Sequence, residues 1–204
     1  MRFNLLILLF CFSIPSFSQG LDLDLYDNLH GNRNHSLDGF MEGVSMTTYP
    51  IALAVPLGQV IYSFAKHDET SIENAAHSVG SLLVTAAMTY GIKYAVRRDR
   101  PYITHPQYTP YEYDTGPSMP SGHTSFAFAT AANLSLQYKR WYVVVPAFIY
   151  AGAVGYSRIH LGAHYPSDVL VGALVGAGSS FATYKAQQWL KRKWKKSTEK
   201  KFLD

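Results

Sequence analysis

Three short stretches hold the residue types that can do chemistry on an anion. The first reads Lys93-Tyr94-Ala95-Val96-Arg97-Arg98-Asp99-Arg100-Pro101. Lys93 lies at the end of an apolar stretch, and Arg100 lies just beyond it, before a proline that prevents the helix from continuing. Two cations so placed can converge on one oxyanion, the guanidinium bidentately and the ammonium as a point charge. The second stretch is Pro120-Ser121-Gly122-His123-Thr124, opening another apolar run. A helix N-terminus there offers free N–H groups and the positive end of the dipole. Gly122 lets the backbone approach closely, Ser121 adds a hydroxyl, and His123 sits beside the anion, placed to donate a proton. The third runs from Ser157-Arg158 through His164 to Asp168. Pro166 suits the first turn of a helix, and Asp168 lies within that turn, where the dipole favours its charge. It can accept from the His164 ring there. A carboxylate-oriented imidazole, with its other nitrogen aimed at a phosphate, is a nucleophile arrangement. Arg158 adds another guanidinium.

Each stretch alone has a plainer reading. The first could be a solvated or headgroup-facing basic helix end, the second an N-cap with a histidine nearby, and the third a structural His/Asp cap. Together they put three cations, two histidines and a carboxylate at helix ends on one face of an alternating bundle. That combination describes a pocket for a phosphoryl group in transfer, whose charge needs a preorganised clamp.

The elements that must position these residues are helical. Five apolar stretches, about 44–65, 75–96, 123–138, 141–157 and 167–189, are interrupted by Gly, Ser, Thr, Tyr or an internal proline such as Pro50, Pro56 and Pro146. Their lengths and the scarcity of β-type runs predict an all-α bundle of about five core helices, expected to be transmembrane. The alternative is a soluble helical bundle in which the same stretches are buried core. The chain has 204 residues, 48% hydrophobic and only 16% charged, against about a quarter charged in soluble domains. Fourteen per cent aromatic residues exclude a disordered chain, and Cys11 as the sole cysteine excludes a disulfide scaffold. The net charge of +4 is concentrated in residues 191–204, which hold seven Lys/Arg against two Asp/Glu. A basic tail on an apolar chain reads as a membrane-side anchor and not as a nucleic-acid face.

The N-terminus reads as an export signal over residues 1–18: a short positive lead ending at Asn4, an apolar run from Leu5 to Ile14, and small residues at Ser16 and Ser18, with cleavage after Ser18. Cleavage would remove Cys11 and leave a thiol-free mature chain, which excludes thiol catalysis. Residues 19–43 then form a polar periplasmic surface lead-in, 44–190 the core domain, and 191–204 the basic tail. With the mature start outside, Gln137-Tyr138-Lys139-Arg140 and the tail fall on the cytoplasmic side, as the positive-inside rule expects. Arg97, Arg98 and Arg100 fall outside, against the rule, which points to a task that holds them there. Trp141, Trp189 and Trp194, beside basic residues, suit interfacial anchors. Gly172-x3-Gly176 reads as a small-residue packing face, inside one bundle or at a dimer seam. The Tyr- and Pro-rich segment 101–117 reads as a substrate lid or a connector.

The three stretches resemble the motifs of the type 2 phosphatidic acid phosphatase superfamily, in its bacterial membrane-associated branch; the superfamily is shared with bacterial acid phosphatases and vanadium haloperoxidases. The pattern K-x6-RP, PSGH, SR-x5-H-x3-D is met without mismatch by Lys93, Arg100-Pro101, Pro120 to His123, Ser157-Arg158, His164 and Asp168. The resemblance implies that His164 attacks phosphorus and becomes a phosphohistidine, that Asp168 orients it, and that His123 protonates the leaving group and then activates water. Lys93, Arg100, Arg158, Ser121 and the Gly122 N–H would hold the phosphate oxygens, with no metal and no cofactor. His160 lies outside the motif spacing and reads as a loop or packing residue, as do His30, His35, His67, His77 and His105. The resulting expectation is a hydrolase of lipid phosphates or diphosphates on the periplasmic side of a bacterial inner membrane, with no nucleic-acid partner. A soluble broad-specificity acid phosphatase, a haloperoxidase and a non-catalytic lipid-binding protein on the same scaffold are the alternatives.

Overall fold

A computed structural model describes residues 15–201, with side chains over 20–194. Of the export-signal reading over residues 1–18, residues 1–14 lie outside the described residues, and 15–18 belong to the first described helix. The order is α1 (Pro15–Tyr26), a π turn (Asp27–Gly31), a 3-10 turn (His35–Leu37), α2 (Asp38–Met46), α3 (Thr48–Lys66), α4 (Glu69–Val96), α5 (Pro101–Thr104), α6 (Gly122–Tyr138), α7 (Trp141–His160) and α8 (Pro166–Lys201). There is no strand among the described residues. The five long helices match the five apolar stretches, and α8 carries straight on into the basic tail.

Helix ends are set by local chemistry. Asp68 caps α4 by accepting from the Thr70 N–H at 3.2 Å, and Ser121 caps α6. Helices α3, α4 and α6 stop where His67, Arg97 and Lys139 turn left-handed (φ 51°, 52° and 48°), a conformation that closes the last turn but costs a non-glycine residue energy. The stop at Arg97 matters most. It ends α4 one turn after Lys93, so that Arg98 and Arg100 leave along extended chain and aim at different partners.

Helix α6 is the hub, packed on α8, α7, α4 and α3. Its buried face is small or polar: Thr124, Ser125, Ala127, Ala129 to Asn133. Its neighbours match it with Ala52, Ala151, Gly172 and Gly176. The Gly172-x3-Gly176 face packs inside the bundle. A Cβ on Gly172 would lie 2.7 Å from the Ser121 carbonyl oxygen, and one on Gly176 would overlap the Ser125 carbonyl. Gly176→Ala should therefore cost about 1–3 kcal/mol through overpacking, read as a lower thermal midpoint in detergent. Gly178→Ala, where a Cβ meets nothing within 4 Å, should not lower the midpoint and should raise it slightly, since alanine is the better helix former.

The outside is greasier than the inside. Leu53, Leu57, Ile61 and Phe64 on α3, Leu83 and Met88 on α4, Trp141 and Ile149 on α7, and Leu170 and Leu174 on α8 all point outward, Phe64 being 76% and Trp141 77% exposed. Trp189 and Trp194 are exposed too. Small residues within and large apolar residues without is the packing of helices in lipid, where close backbone approach and interhelical hydrogen bonds hold the bundle together. Three segments, His35–Lys66, Glu69–Thr104 and Trp141–His160, are long and apolar enough to cross a membrane. At the far end from the motifs the bundle is pinned by amides: Gln59 Nε2 donates to Gln137 Oε1 (2.7 Å), and Gln137 Nε2 donates to Ser78 Oγ (3.0 Å).

The lead-in is not simply surface. Asp22, Tyr26, His30 and Asp38 are buried, because this segment wraps the loop that joins α7 to α8. Tyr26 Oη donates to the Gly162 carbonyl, and His30 Nδ1 lies 2.9 Å from the His160 carbonyl. Gly162 has φ +81°, and a Cβ there would strike the His30 ring and Pro110.

Candidate active site

The α7–α8 loop, the end of α4 and the start of α6 meet around one cavity of about 410 Å³. Lys93, Arg100, Gly122, His123 and His164 line it. Arg158, at the end of α7, lies behind the wall with no exposed surface. The three sequence stretches thus converge as their spacing implied.

The guanidiniums are fixed from several sides. Arg158 Nη1 donates to Ser45 Oγ (2.6 Å) and to Glu112 Oε2 (3.0 Å), and its Nη2 donates to Asp114 Oδ2 (2.9 Å). Arg100 Nη1 donates to Asp114 Oδ2 (3.1 Å) and to the Ala163 carbonyl (3.0 Å), while its Nε reaches the Gly116 carbonyl (3.0 Å). Lys93 Nζ donates to the Pro117 carbonyl at 2.5 Å. Such rigidity is what a preorganised oxyanion clamp requires, since the donors need not reorganise as charge builds up.

His164 is buried and held at Nδ1, so that Nε2 faces the cations. The expected direct bond to Asp168 is not made: Nδ1 lies 3.7 Å from Asp168 Oδ2. Ser118 stands between them, with its Oγ 3.3 Å from His164 Nδ1 and donating at 2.5 Å to Asp168 Oδ2. Asp168 also accepts from the Tyr165 N–H (2.9 Å) and from Arg98 Nη1 (2.8 Å). Arg98 lies 4.0 Å over the Tyr165 ring and pairs through Nη2 with Asp22 Oδ2 at 2.6 Å. Asp22 in turn accepts from the Ser167 N–H at 2.9 Å, at the start of α8. The lead-in therefore reaches the support of the histidine.

Ser121 departs from the expectation. It is fully buried, and its Oγ accepts from the Thr124 N–H (3.4 Å) and lies 2.9 Å from Thr124 Oγ1. It is the N-cap of α6, and the cavity wall is formed by Gly122 and His123. The His123 ring packs on Tyr49, centroids 4.8 Å apart. His160 is a packing residue, its Nε2 bound to Asp38 Oδ1 at 2.8 Å. His77 is buried in the bundle against the Ser180 carbonyl.

Burial drives the His164 pKa down from 6.5 to about 4; the Asp168 carboxylate opposes the shift and the Arg100 and Arg158 guanidiniums reinforce it. The ring is neutral at any ordinary pH, with a free electron pair for chemistry. The arrangement can hold a phosphoryl group on cations, offer it an unprotonated imidazole nitrogen, and present a second histidine across the cavity.

Sequence reasoning missed Ser118, Asp22, Glu112 and Asp114, and of Arg98 it said only that a task holds it on the outer side. Arg98 and Ser118 had a positional signal, within the K-x6-RP spacing and two residues ahead of PSGH. The acidic pair stood out only as charges in an otherwise Tyr/Pro-rich loop.

Comparison with known proteins agrees with this geometry. Residues 74–192 match the model of the PAP2 superfamily. The undecaprenyl-diphosphatase of Sulfolobus acidocaldarius is 27% identical over 164 residues, covering 79% of this chain and 76% of that protein. The lipid A 1-phosphatase of Rhizobium etli is 34% identical over 116 residues, 52% of this chain and 49% of that protein. A transmembrane PAP2 type phosphatidylglycerolphosphate phosphatase from Bacillus subtilis shares the fold, with a TM-score of 0.70 at 20% identity over 93% of this chain and 96% of that one. With more than half of the chain matched and all three motifs gathered at one cavity, this membrane protein belongs to the PAP2 superfamily.

Proposed function

We propose that the chain is a metal-independent phosphatase that hydrolyses a lipid phosphate or diphosphate through a phosphohistidine, with its site on the periplasmic side. The observation that carries the lipid reading is the shape of the cavity wall. Beside the cations it is made of Tyr90 and Tyr94 of α4, which are also 56% and 63% exposed on the apolar outside of the bundle. A phosphate can sit on the cations while its alkyl chain lies against that outer face.

In the first step His164 Nε2 attacks phosphorus in line. An N–P bond forms as the P–O bond to the leaving group breaks, and that oxygen takes its proton from His123. Burial and the Arg158 guanidinium keep His123 neutral in the free enzyme, with its pKa down to about 3, and it becomes charged only once the phosphate anion lies beside it. The equatorial oxygens rest on Lys93, Arg100, Arg158 and the Gly122 N–H, so protein cations carry the charge that builds up. In the second step His123 takes a proton from water, whose oxygen attacks phosphorus. The N–P bond breaks, and inorganic phosphate leaves with His164 neutral again. The reading of residues 1–18 as an export signal, and the basic connections at the opposite end, support the outward orientation.

The test is phosphate release by detergent-purified protein in excess EDTA, across long-chain lipid phosphates, lipid diphosphates and a small aryl phosphate. Lipid turnover that survives chelation is the expected result. Turnover of the small ester alone would favour a broad-specificity acid phosphatase and sink the lipid reading.

A further inference from the structure

The anion cradle is already filled by the chain itself. After α5 the segment 105–121 runs back over the cavity before α6 begins and lays two carboxylates on the cradle. Asp114 Oδ2 accepts from both Arg158 Nη2 (2.9 Å) and Arg100 Nη1 (3.1 Å), and lies 4.0 Å from His164 Nε2. Glu112 Oε2 takes the other terminal nitrogen of Arg158 at 3.0 Å. The Thr115 and Gly116 carbonyls accept from Arg100, and the Pro117 carbonyl accepts from Lys93. Every cation assigned to the phosphate is thus engaged by residues 112–117.

Two positions make this more than loop packing. Asp114 lines the cavity and is 27% exposed, so solvent and ligand reach it, whereas Arg100 and Arg158 are buried. A phosphorus in line for His164 Nε2 must come within about 3–3.5 Å of it, with an oxygen between the two guanidiniums. That is the place Asp114 Oδ2 holds. Burial alone would raise the Asp114 carboxyl, but Arg100 and Arg158 outweigh it and keep it below the usual carboxylate range. The occupant is therefore an anion, and it and a substrate oxygen cannot share the seat.

We propose that Asp114 is a binding residue that sets affinity, an internal carboxylate that an incoming group must displace from Arg100 and Arg158, so that productive binding is an anion exchange. The proposal rests on the phosphatase reading of the same site. A successful ligand must bring more charge and more acceptor oxygens than one carboxylate. A terminal phosphate does, with about −1.5 to −2 charge and three oxygens. A phosphodiester, with one charge and two free oxygens, does not. In a bilayer crowded with phosphodiester headgroups, this competitor lowers occupancy by every ligand alike, so that only the better-binding terminal phosphates still fill the cradle.

The experiment titrates inorganic phosphate and dimethyl phosphate, a singly charged diester, into full-length detergent-solubilised protein by calorimetry. It compares wild type, Asp114→Asn and Asp114→Ser, with turnover of a lipid phosphate measured separately. Removing an internal competitor raises the competent fraction, so inorganic phosphate should bind about tenfold more tightly to both variants. Dimethyl phosphate should gain by the same factor, because the competent fraction is a property of the free protein and not of the ligand. Unchanged or weakened phosphate binding in both folded variants would overturn the proposal, and so would a gain for inorganic phosphate with none for dimethyl phosphate. Because binding is read without turnover, absence of wild-type turnover would count against the phosphatase reading alone. The Asn variant keeps the side chain's shape and the Ser variant removes its reach, so a folding defect in one leaves the other to decide.

Discussion

Replacing His164 with alanine is expected to lower lipid-phosphate turnover by about 10⁴-fold or more, the range seen when a nucleophile that acts as part of a unit is removed. The size follows from geometry. His164 Nε2 is the unprotonated nitrogen that faces the cations, burial keeps it neutral, and Ser118 fixes its other nitrogen at 3.3 Å. Lys93, Arg100 and Arg158 are held by carbonyls, carboxylates and Ser45, not by His164. The alanine variant should therefore still bind inorganic phosphate, so that the loss falls on kcat and not on binding. His123→Ala, which removes only proton transfer, should cost less, about 10²–10⁴-fold. Alkaline quenching of wild-type turnover should trap an acid-labile phosphohistidine that is missing from the His164 variant. Turnover within tenfold of wild type in His164→Ala would rule out the covalent route.

The helices were legible because lipid-facing and buried positions both leave long apolar or small-residue runs. All five stretches became helices, with Pro56 and Pro146 lying inside α3 and α7. The motif residues were legible because their spacing fixes helix ends: Arg97 terminates α4, Ser121 opens α6 and Pro166 opens α8. What was not legible were contacts made across long sequence separations by residues with no periodicity of their own. Asp22 lies 76 residues from Arg98, and nothing in a polar, Asp-rich lead-in says which carboxylate will be buried against a guanidinium. Ser121 and Ser118 show the same limit at short range. Both are hydroxyls near PSGH, and only the backbone path decides that one caps a helix while the other enters the site. Asp114 was hidden for another reason: a carboxylate among phosphate-binding cations contradicts the chemistry the motifs announce, until it is recognised as the counter-ion those buried guanidiniums need.

The second large effect should come from Asp168→Asn, and its pH dependence separates it from a loss of structure. The Asp168 carboxylate accepts from Ser118, the Tyr165 N–H and Arg98, so it positions the histidine through Ser118 and through the loop itself. Asparagine keeps the shape but loses the charge and offers a donor where Ser118 donates. In a comparable hydrolase triad that exchange misorients the imidazole and costs about 10⁴ in kcat; here, with Ser118 interposed, a loss of about 10²–10⁴ is expected. The acid limb of kcat/KM reports the base of the free enzyme. In wild type that base is His164, pushed down to about 4 chiefly by burial, with Asp168 opposing the shift. With the substrate's own second ionisation at about pH 6 divided out, activity should therefore stay level as pH falls through 6.5 and decline only toward pH 4. Removing the opposing charge leaves burial and the guanidiniums unbalanced, so the limb should move to lower pH, by about one unit. A slower enzyme whose activity extends further into acid is an outcome that general destabilisation does not produce. A limb that stays in place or moves upward would mean that Asp168 shapes the loop without acting on the basicity of His164.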